Sequence, residues 1–210
     1  MNRSKVLALP SIVIDDQGWA DKAVRMPSPN FDQRADGVPI DLLVVHNISL
    51  PPGEFGGPYI SDLFLNRLDY EAHPYFDQLR PLKVSAHFLI RRDGEIIQFV
   101  SARDRAWHAG VSVFCGKERC NDFSIGIEME GTDDQPFEPR QYEALVALTL
   151  ALRGAYPLRN VTGHAYIAPG RKTDPGPFFD WQRYQLEYRL AAGNRQEGGI
   201  MSDDLQFCGM

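Results

Sequence analysis

The run IDLLVVHNIS, Ile40 to Ser49, carries an unbroken apolar stretch from Leu42 to Val45 and lies between Pro39 and Pro51. Such a run has no polar face to turn to water. It reads as a central strand covered on both sides, the situation of a parallel or mixed sheet with helices on its faces rather than of a sheet with one wet side. A chain of 210 residues, 43% hydrophobic and 24% charged, can bury a core of that kind as one domain.

The remaining segments fit that frame. SAHFLIRR and EIIQFVS read as two strands, and the Asp93-Gly94 turn in RRDGEI between them predicts an antiparallel pair. FSIGIEMEG, Phe123 to Gly131, alternates Phe123, Ile125, Ile127 and Met129 with Ser124, Gly126, Glu128 and Glu130, so a strand here places both glutamates on one face, away from the apolar one. On alternation alone Glu130 is expected to be a solvated strand glutamate. Helices are predicted over YISDLFLNRL, over EPRQYEALVALTLALRGAY packed on the sheet, and over FFDWQRYQLEYRLAA. Residues 17–39, polar and proline-containing, read as an extended covering segment. With no repeat or linker, the expectation is a single α/β domain over residues 1–190, a central mixed β-sheet flanked by helices, followed by a flexible C-terminal tail at 191–210.

Charge and composition exclude several classes. A formal net charge of -6 without a basic block offers no surface for a nucleic-acid backbone. No apolar run approaches the roughly 20 residues of a membrane span. Lys5 is followed by VLALPSIVI, but Pro10 interrupts it, Asp15 and Asp16 follow, and no small-residue cleavage site is near, so an early strand and a cytoplasmic, monomeric protein are expected. Three cysteines make no disulfide framework, and Cys115 and Cys120 are expected to be buried, inert thiols.

Two segments carry chemistry. His46 ends the most apolar strand, where a buried imidazole needs partners for both nitrogens. TGHAYIAPGRKTDPG, Thr162 to Gly176, is a Gly- and Pro-rich loop holding His164, Lys172 and Asp174. Two histidines and one aspartate are donors typical of a catalytic zinc site, with a fourth position left for water. A hydrogen-bonded core histidine is the alternative at His46, and the spacing of the three residues does not choose between the two. A serine nucleophile elbow of the G-x-S-x-G type is absent.

Four long blocks in one order go further: LLVVHNISLPPGEFGGPYI, VSAHFLIRRDGEIIQFV, RAWHAGVSVFCGKERCNDFSIGIEMEGTD and VTGHAYIAPGRKTDPGPFFDW. Together they resemble the AmpD-type 1,6-anhydro-N-acetylmuramyl-L-alanine amidases, a branch of the type 2 amidase and peptidoglycan-recognition superfamily, from about Gly18 to about Tyr184. The resemblance implies that fold, and His46, His164 and Asp174 as ligands of Zn2+; wider relatives use a cysteine where this sequence has Asp174. It implies Glu128 as the catalytic glutamate that moves the water proton and Lys172 as the cation beside the developing oxyanion. It also puts Asn47, Trp107 and Arg119 near the substrate: Trp107 to stack, Arg119 to grip a peptide carboxylate, Asn47 to donate and accept.

The bond implied is that between the lactyl group of N-acetylmuramic acid and L-alanine, in a small soluble muropeptide bearing the 1,6-anhydro sugar. The insert from Leu50 to Tyr59 matches an extra segment of the recycling enzymes. An amidase acting on polymeric peptidoglycan and a metal-free muropeptide-binding module are the competing readings. The second should have lost a ligand, and this sequence keeps all three. His87 is expected to be buried and structural, while His73 and His108 receive no ligand role.

Overall fold

The computed structural model describes residues 9–193 and 205–209. In chain order its strands are β1 (Val24–Arg25), β2 (Phe31–Asp32), β3 (Leu42–Ile48), β4 (Phe88–Ile90), β5 (Ile96–Gln98), β6 (Arg105–Ala106), β7 (Val113–Phe114), β8 (Lys117–Glu118), β9 (Ser124–Glu130), β10 (Asn160–Gly163) and β11 (Gln206–Phe207). The helices are α1 (Tyr59–Phe64), α2 (Pro139–Ala155), α3 (His164–Ile167) and α4 (Trp181–Gly193). Seven strands form one mixed sheet in the order β1-β5-β4-β9-β3-β10-β11. β3, β4, β9 and β10 run parallel at its centre, and the β4–β5 pair is antiparallel across the Asp-Gly turn, as the sequence predicts.

Alternation along the central strands sends their side chains into different layers. Leu43, Val45, Ile125, Ile127 and Met129 join Leu145, Leu148 and Leu152 of α2 and Tyr184 and Tyr188 of α4 in the largest core cluster. On the opposite face Leu42 and Val44 pack with Cys120, Phe123 and Ile167, while Leu89 and Ile97 pack with Ile60, Leu63 and Phe64 around α1. β3 is therefore covered on both sides, which is why it could be so apolar. α2 starts at Pro139 and is tied to the sheet by Gln141, whose buried side-chain amide donates to the carbonyls of Ile90 and Glu130 while its Oε1 accepts from the Glu138 N–H.

β9 corrects one expectation. All seven of its residues are buried, and Glu130 is 1% exposed rather than solvated. Its carboxylate accepts from Gly56 N–H at 2.7 Å, Arg91 Nη1 at 3.0 Å and Arg92 N–H at 3.1 Å. Arg91 also donates to the Gly57 carbonyl, so the pair fastens the 50–57 insert to the end of the sheet. Removing one partner of a buried, hydrogen-bonded ion pair strands the other. Glu130→Ala is expected to destabilise the protein by about 3 kcal/mol or more, a fall in Tm of roughly 6–12 °C at this size. Calorimetry showing a loss under about 1 kcal/mol, the level of an exposed pair, would refute the assignment.

Other boundaries shift in detail. The covering segment is extended as expected: β1 pairs with β5, β2 with β6, and buried Ser28 and Asn30 both donate to the Phe64 carbonyl. Within the early apolar run Ile12 is buried and Ile14 bridges Ala20; residues 1–8, and with them the start of that run, lie outside the described residues. Regular structure reaches into the expected 191–210 tail at two places. α4 continues to Gly193, and β11 adds to the sheet edge parallel to β10, with Cys208 N–H bonded to the Val161 carbonyl at 2.8 Å and Phe207 packed edge-on against Tyr184 and tilted against Tyr188. An open strand edge offers unpaired N–H and C=O groups, and an apolar Phe207 beside two tyrosines makes pairing there favourable. Residues 194–204 lie outside the described residues.

Candidate metal centre

Parallel pairing assembles the site at the carboxyl ends of the central strands, the usual place for a site in such a sheet. His46 near the end of β3 lies directly opposite Glu128 of β9, and Gly163 of β10 lies opposite Val45, so the next residue, His164 at the start of α3, arrives beside His46. Asp174 is returned to the same point by the following loop: the Ala165 N–H donates to the Asp174 carbonyl at 2.8 Å, and Asn47 Nδ2 donates to the Pro175 carbonyl at 3.0 Å and to Asp133 Oδ1 at 2.7 Å. Gly163 is needed for this return, because a Cβ there would come within 2.7 Å of Pro175 Cδ.

His46 Nδ1, His164 Nδ1 and Asp174 Oδ2 form a nearly equilateral triangle with sides of 3.0, 3.1 and 3.0 Å. Among the described residues these three are the His, Cys, Asp or Glu side chains whose donor atoms converge as a metal site requires. His164 Nε2 lies 3.1 Å from the Ala109 carbonyl, which can only accept, so the ring hydrogen sits on Nε2 and the Nδ1 lone pair faces the triangle. Lone pairs and a carboxylate brought this close repel each other unless a cation lies among them, and donors about 3 Å apart suit zinc bonds of about 2.0–2.2 Å. Burial first, and the neighbouring His164 second, bring His46 down to about 4, which keeps it neutral and able to ligate.

The triangle lies in a cleft of about 1070 Å³. Glu128 faces this space with its carboxyl raised well above the ordinary range, by burial first and then by the charge of Asp174, and its Oε2 has no hydrogen-bond partner among the described residues. Exposed Lys172 and half-buried Trp107 and Asn47 also line the cleft. Trp107 is thus a wall residue and not part of the core. Arg119 is not in the wall: its side chain is 72% exposed, paired with Asp122 at 3.1 Å, two residues before the wall residue Asn121.

Of the other histidines, His87 is fully buried and accepts the Gly126 N–H at Nδ1, and His73 accepts the Tyr75 N–H in a 3-10 turn. His108, given no role from sequence, touches His46 directly, with Nδ1 2.9 Å from His46 Nε2. Only the adjacency of His108 to Trp107 could have marked it. Cys120 is buried as expected, but Cys115 is exposed at the tip of the β7–β8 hairpin, where its backbone has φ 48° and the chain turns away from the core.

The family profile N-acetylmuramoyl-L-alanine amidase (Amidase_2) matches residues 36–177, and the chain belongs to that family. The chain is 59% identical over 173 residues, 81% of this chain and 94% of the relative, to the 1,6-anhydro-N-acetylmuramyl-L-alanine amidase AmpD of Escherichia coli K12. A crystal structure of a selenomethionine AmpD derivative superposes with a TM-score of 0.80 at 59% identity, covering 82% of this chain and 97% of that one. The E. coli amidase AmiD, in complex with the substrate anhydro-N-acetylmuramic acid-L-Ala-D-gamma-Glu-L-Lys, superposes with a TM-score of 0.53 at 30% identity over 84% of this chain and 65% of that one. The fold is that of the family, the cluster of His46, His164 and Asp174 matches its zinc site, and the protein is a zinc-dependent amidase.

Proposed function

We propose that the protein hydrolyses the amide between the lactyl group of 1,6-anhydro-N-acetylmuramic acid and L-alanine in soluble muropeptides, acting as a cytoplasmic monomer. The observation that carries this reading is the three-donor triangle at the base of a cleft, with a buried carboxyl on the adjoining strand, in a chain 59% identical to an amidase of that specificity. Zinc held by His46, His164 and Asp174 lowers the pKa of water toward neutrality and polarises a carbonyl.

The chain's own groups do the rest. Glu128, opposite His46 and facing the cleft, takes the proton from the attacking water and passes it to the departing alanine nitrogen. Lys172, on the loop that carries Asp174, places its ammonium against the oxyanion of the tetrahedral intermediate. A cleft of about 1070 Å³ has room for a sugar and a short peptide. Trp107 offers the sugar or peptide a flat apolar surface. Asn47 has both amide hydrogens engaged, so it serves the substrate through its oxygen and by holding the Asp174 loop. Arg119, beyond the wall, is left for the distal carboxylate of the peptide.

Specificity is a ratio of kcat/KM values. Anhydro-N-acetylmuramyl-tripeptide, the reduced N-acetylmuramyl-peptide and intact sacculi should be compared side by side. Release of free tripeptide and anhydro-N-acetylmuramic acid, with the highest kcat/KM on the anhydro substrate, is the expected result. Equal or faster cleavage of sacculi would make the protein a murein amidase, and binding without turnover in zinc-loaded protein would make it a recognition module.

A further inference from the structure

We propose that the adjoining residues His108 and Ala109, held by the side chain of Asn121, act as one bracket that orients both zinc-binding histidines with Nδ1 toward the metal. The inference rests on the zinc-site reading above and concerns residues outside the ligand set.

The hydrogen positions follow from partners that can only accept. Ser124 Oγ lies 2.6 Å from the Cys120 carbonyl, so the hydroxyl hydrogen points there. His108 Nε2 lies 3.1 Å from the same Oγ and must then be the donor. A neutral His108 with its hydrogen on Nε2 has a lone pair on Nδ1, which accepts from His46 Nε2 at 2.9 Å. That leaves the lone pair of His46 on Nδ1, inside the triangle. His164 receives the same instruction from the next residue, because its Nε2 donates to the Ala109 carbonyl at 3.1 Å.

The two acceptors are consecutive in the chain and fixed together. Asn121 Oδ1 accepts the backbone N–H of His108 at 3.2 Å and of Ala109 at 2.8 Å. Arg171 Nη2 also donates to the Ala109 carbonyl, at 2.7 Å. Arg34, reaching in from the covering segment, donates to the backbone carbonyls of Asn121, Asp122 and Ser124 at 2.9, 3.0 and 2.7 Å, which steadies the strip carrying both Asn121 and Ser124. Gly126 leaves space for the imidazole, since a Cβ there would stand 2.5 Å from the His108 ring. Partners behind a ligating histidine fix its tautomer and direction, and losing one weakens metal binding by about 10–100-fold. Here a neutral histidine fills the place often taken by a carboxylate.

The test combines zinc affinity, by competition with a chelator, with long-range 1H–15N spectra of the histidine rings in the zinc-loaded protein. In the wild type His108 should be neutral with its hydrogen on Nε2. His108→Phe, which keeps a ring but has no acceptor, should weaken zinc binding by about 10–100-fold. His108→Asn, whose side-chain oxygen can stand near the Nδ1 position, should recover most of it. A His108 hydrogen on Nδ1, or wild-type zinc affinity in His108→Phe, overturns the inference while leaving the metal centre intact. Failure of the wild type to take up zinc overturns both. Should His108→Phe not fold, the wild-type spectrum and His108→Asn still decide.

Discussion

Stripping zinc with a chelator is expected to abolish amide hydrolysis and to leave the fold standing, with activity restored by one equivalent of zinc. The largest core cluster, from Leu43 and Val45 through α2 and α4, lies on the sheet face away from the triangle, so the domain does not need the metal to bury its apolar surface. The reaction does need it, for charge stabilisation worth several kcal/mol. Asp174→Ala removes the anionic ligand and should lower kcat/KM by about 10³-fold or more, equivalent to about 4 kcal/mol. Its far-ultraviolet circular dichroism should match the wild type, and its zinc content should fall. Zinc should also raise Tm, because a ligand that binds only the native state adds about 4 kcal/mol at a thousand times its Kd. Protein that contains no stoichiometric zinc and keeps full activity after chelation would refute the metal centre.

Replacing Glu128 with glutamine should lower kcat by about 10²-fold or more with zinc content unchanged. The substitution keeps size and shape but removes the proton acceptor. It should also be neutral or slightly stabilising: the fold holds Glu128 buried with Oε2 unpartnered, an arrangement that costs stability and brings it no hydrogen bond at that atom. Loss of activity without loss of stability is the pattern of a group kept for chemistry. Lys172→Ala should likewise lower kcat by about 10²-fold while Tm stays within about a degree, since Lys172 is exposed. Wild-type kcat in either variant removes that residue from the mechanism. Lost zinc would instead make it a support of the metal centre.

Glu128 and Glu130 show where reading along the chain stops. Alternation puts both on one face of β9, and nothing local separates them. Their environments separate them completely. Glu130 reaches the strand end, where Arg91 and the N–H groups of Gly56 and Arg92 hold it as a structural ion. Glu128, two residues earlier, lies opposite His46 and faces the cleft. Family resemblance, and not its own strand, singles out Glu128.

The central strand, the Asp-Gly hairpin, the long buried helix and the two segments bearing His46 and His164 were legible because each depends on neighbours within a few residues: apolar runs, alternation, turn chemistry and helical spacing. The bracket of His108, Ala109 and Asn121, the anchoring of Asn121 by Arg34, and the docking of β11 on β10 were not. Arg34 reaches Asn121 across 87 residues of sequence, and His46 meets Asp174 across 128. Local sequence established that an apolar strand ends in a histidine and that a glycine-rich loop offers a second histidine and an aspartate. Only parallel pairing of β3 with β9 and β10 brought those donors to one point, because inter-strand register sets distances that spacing along a chain leaves free.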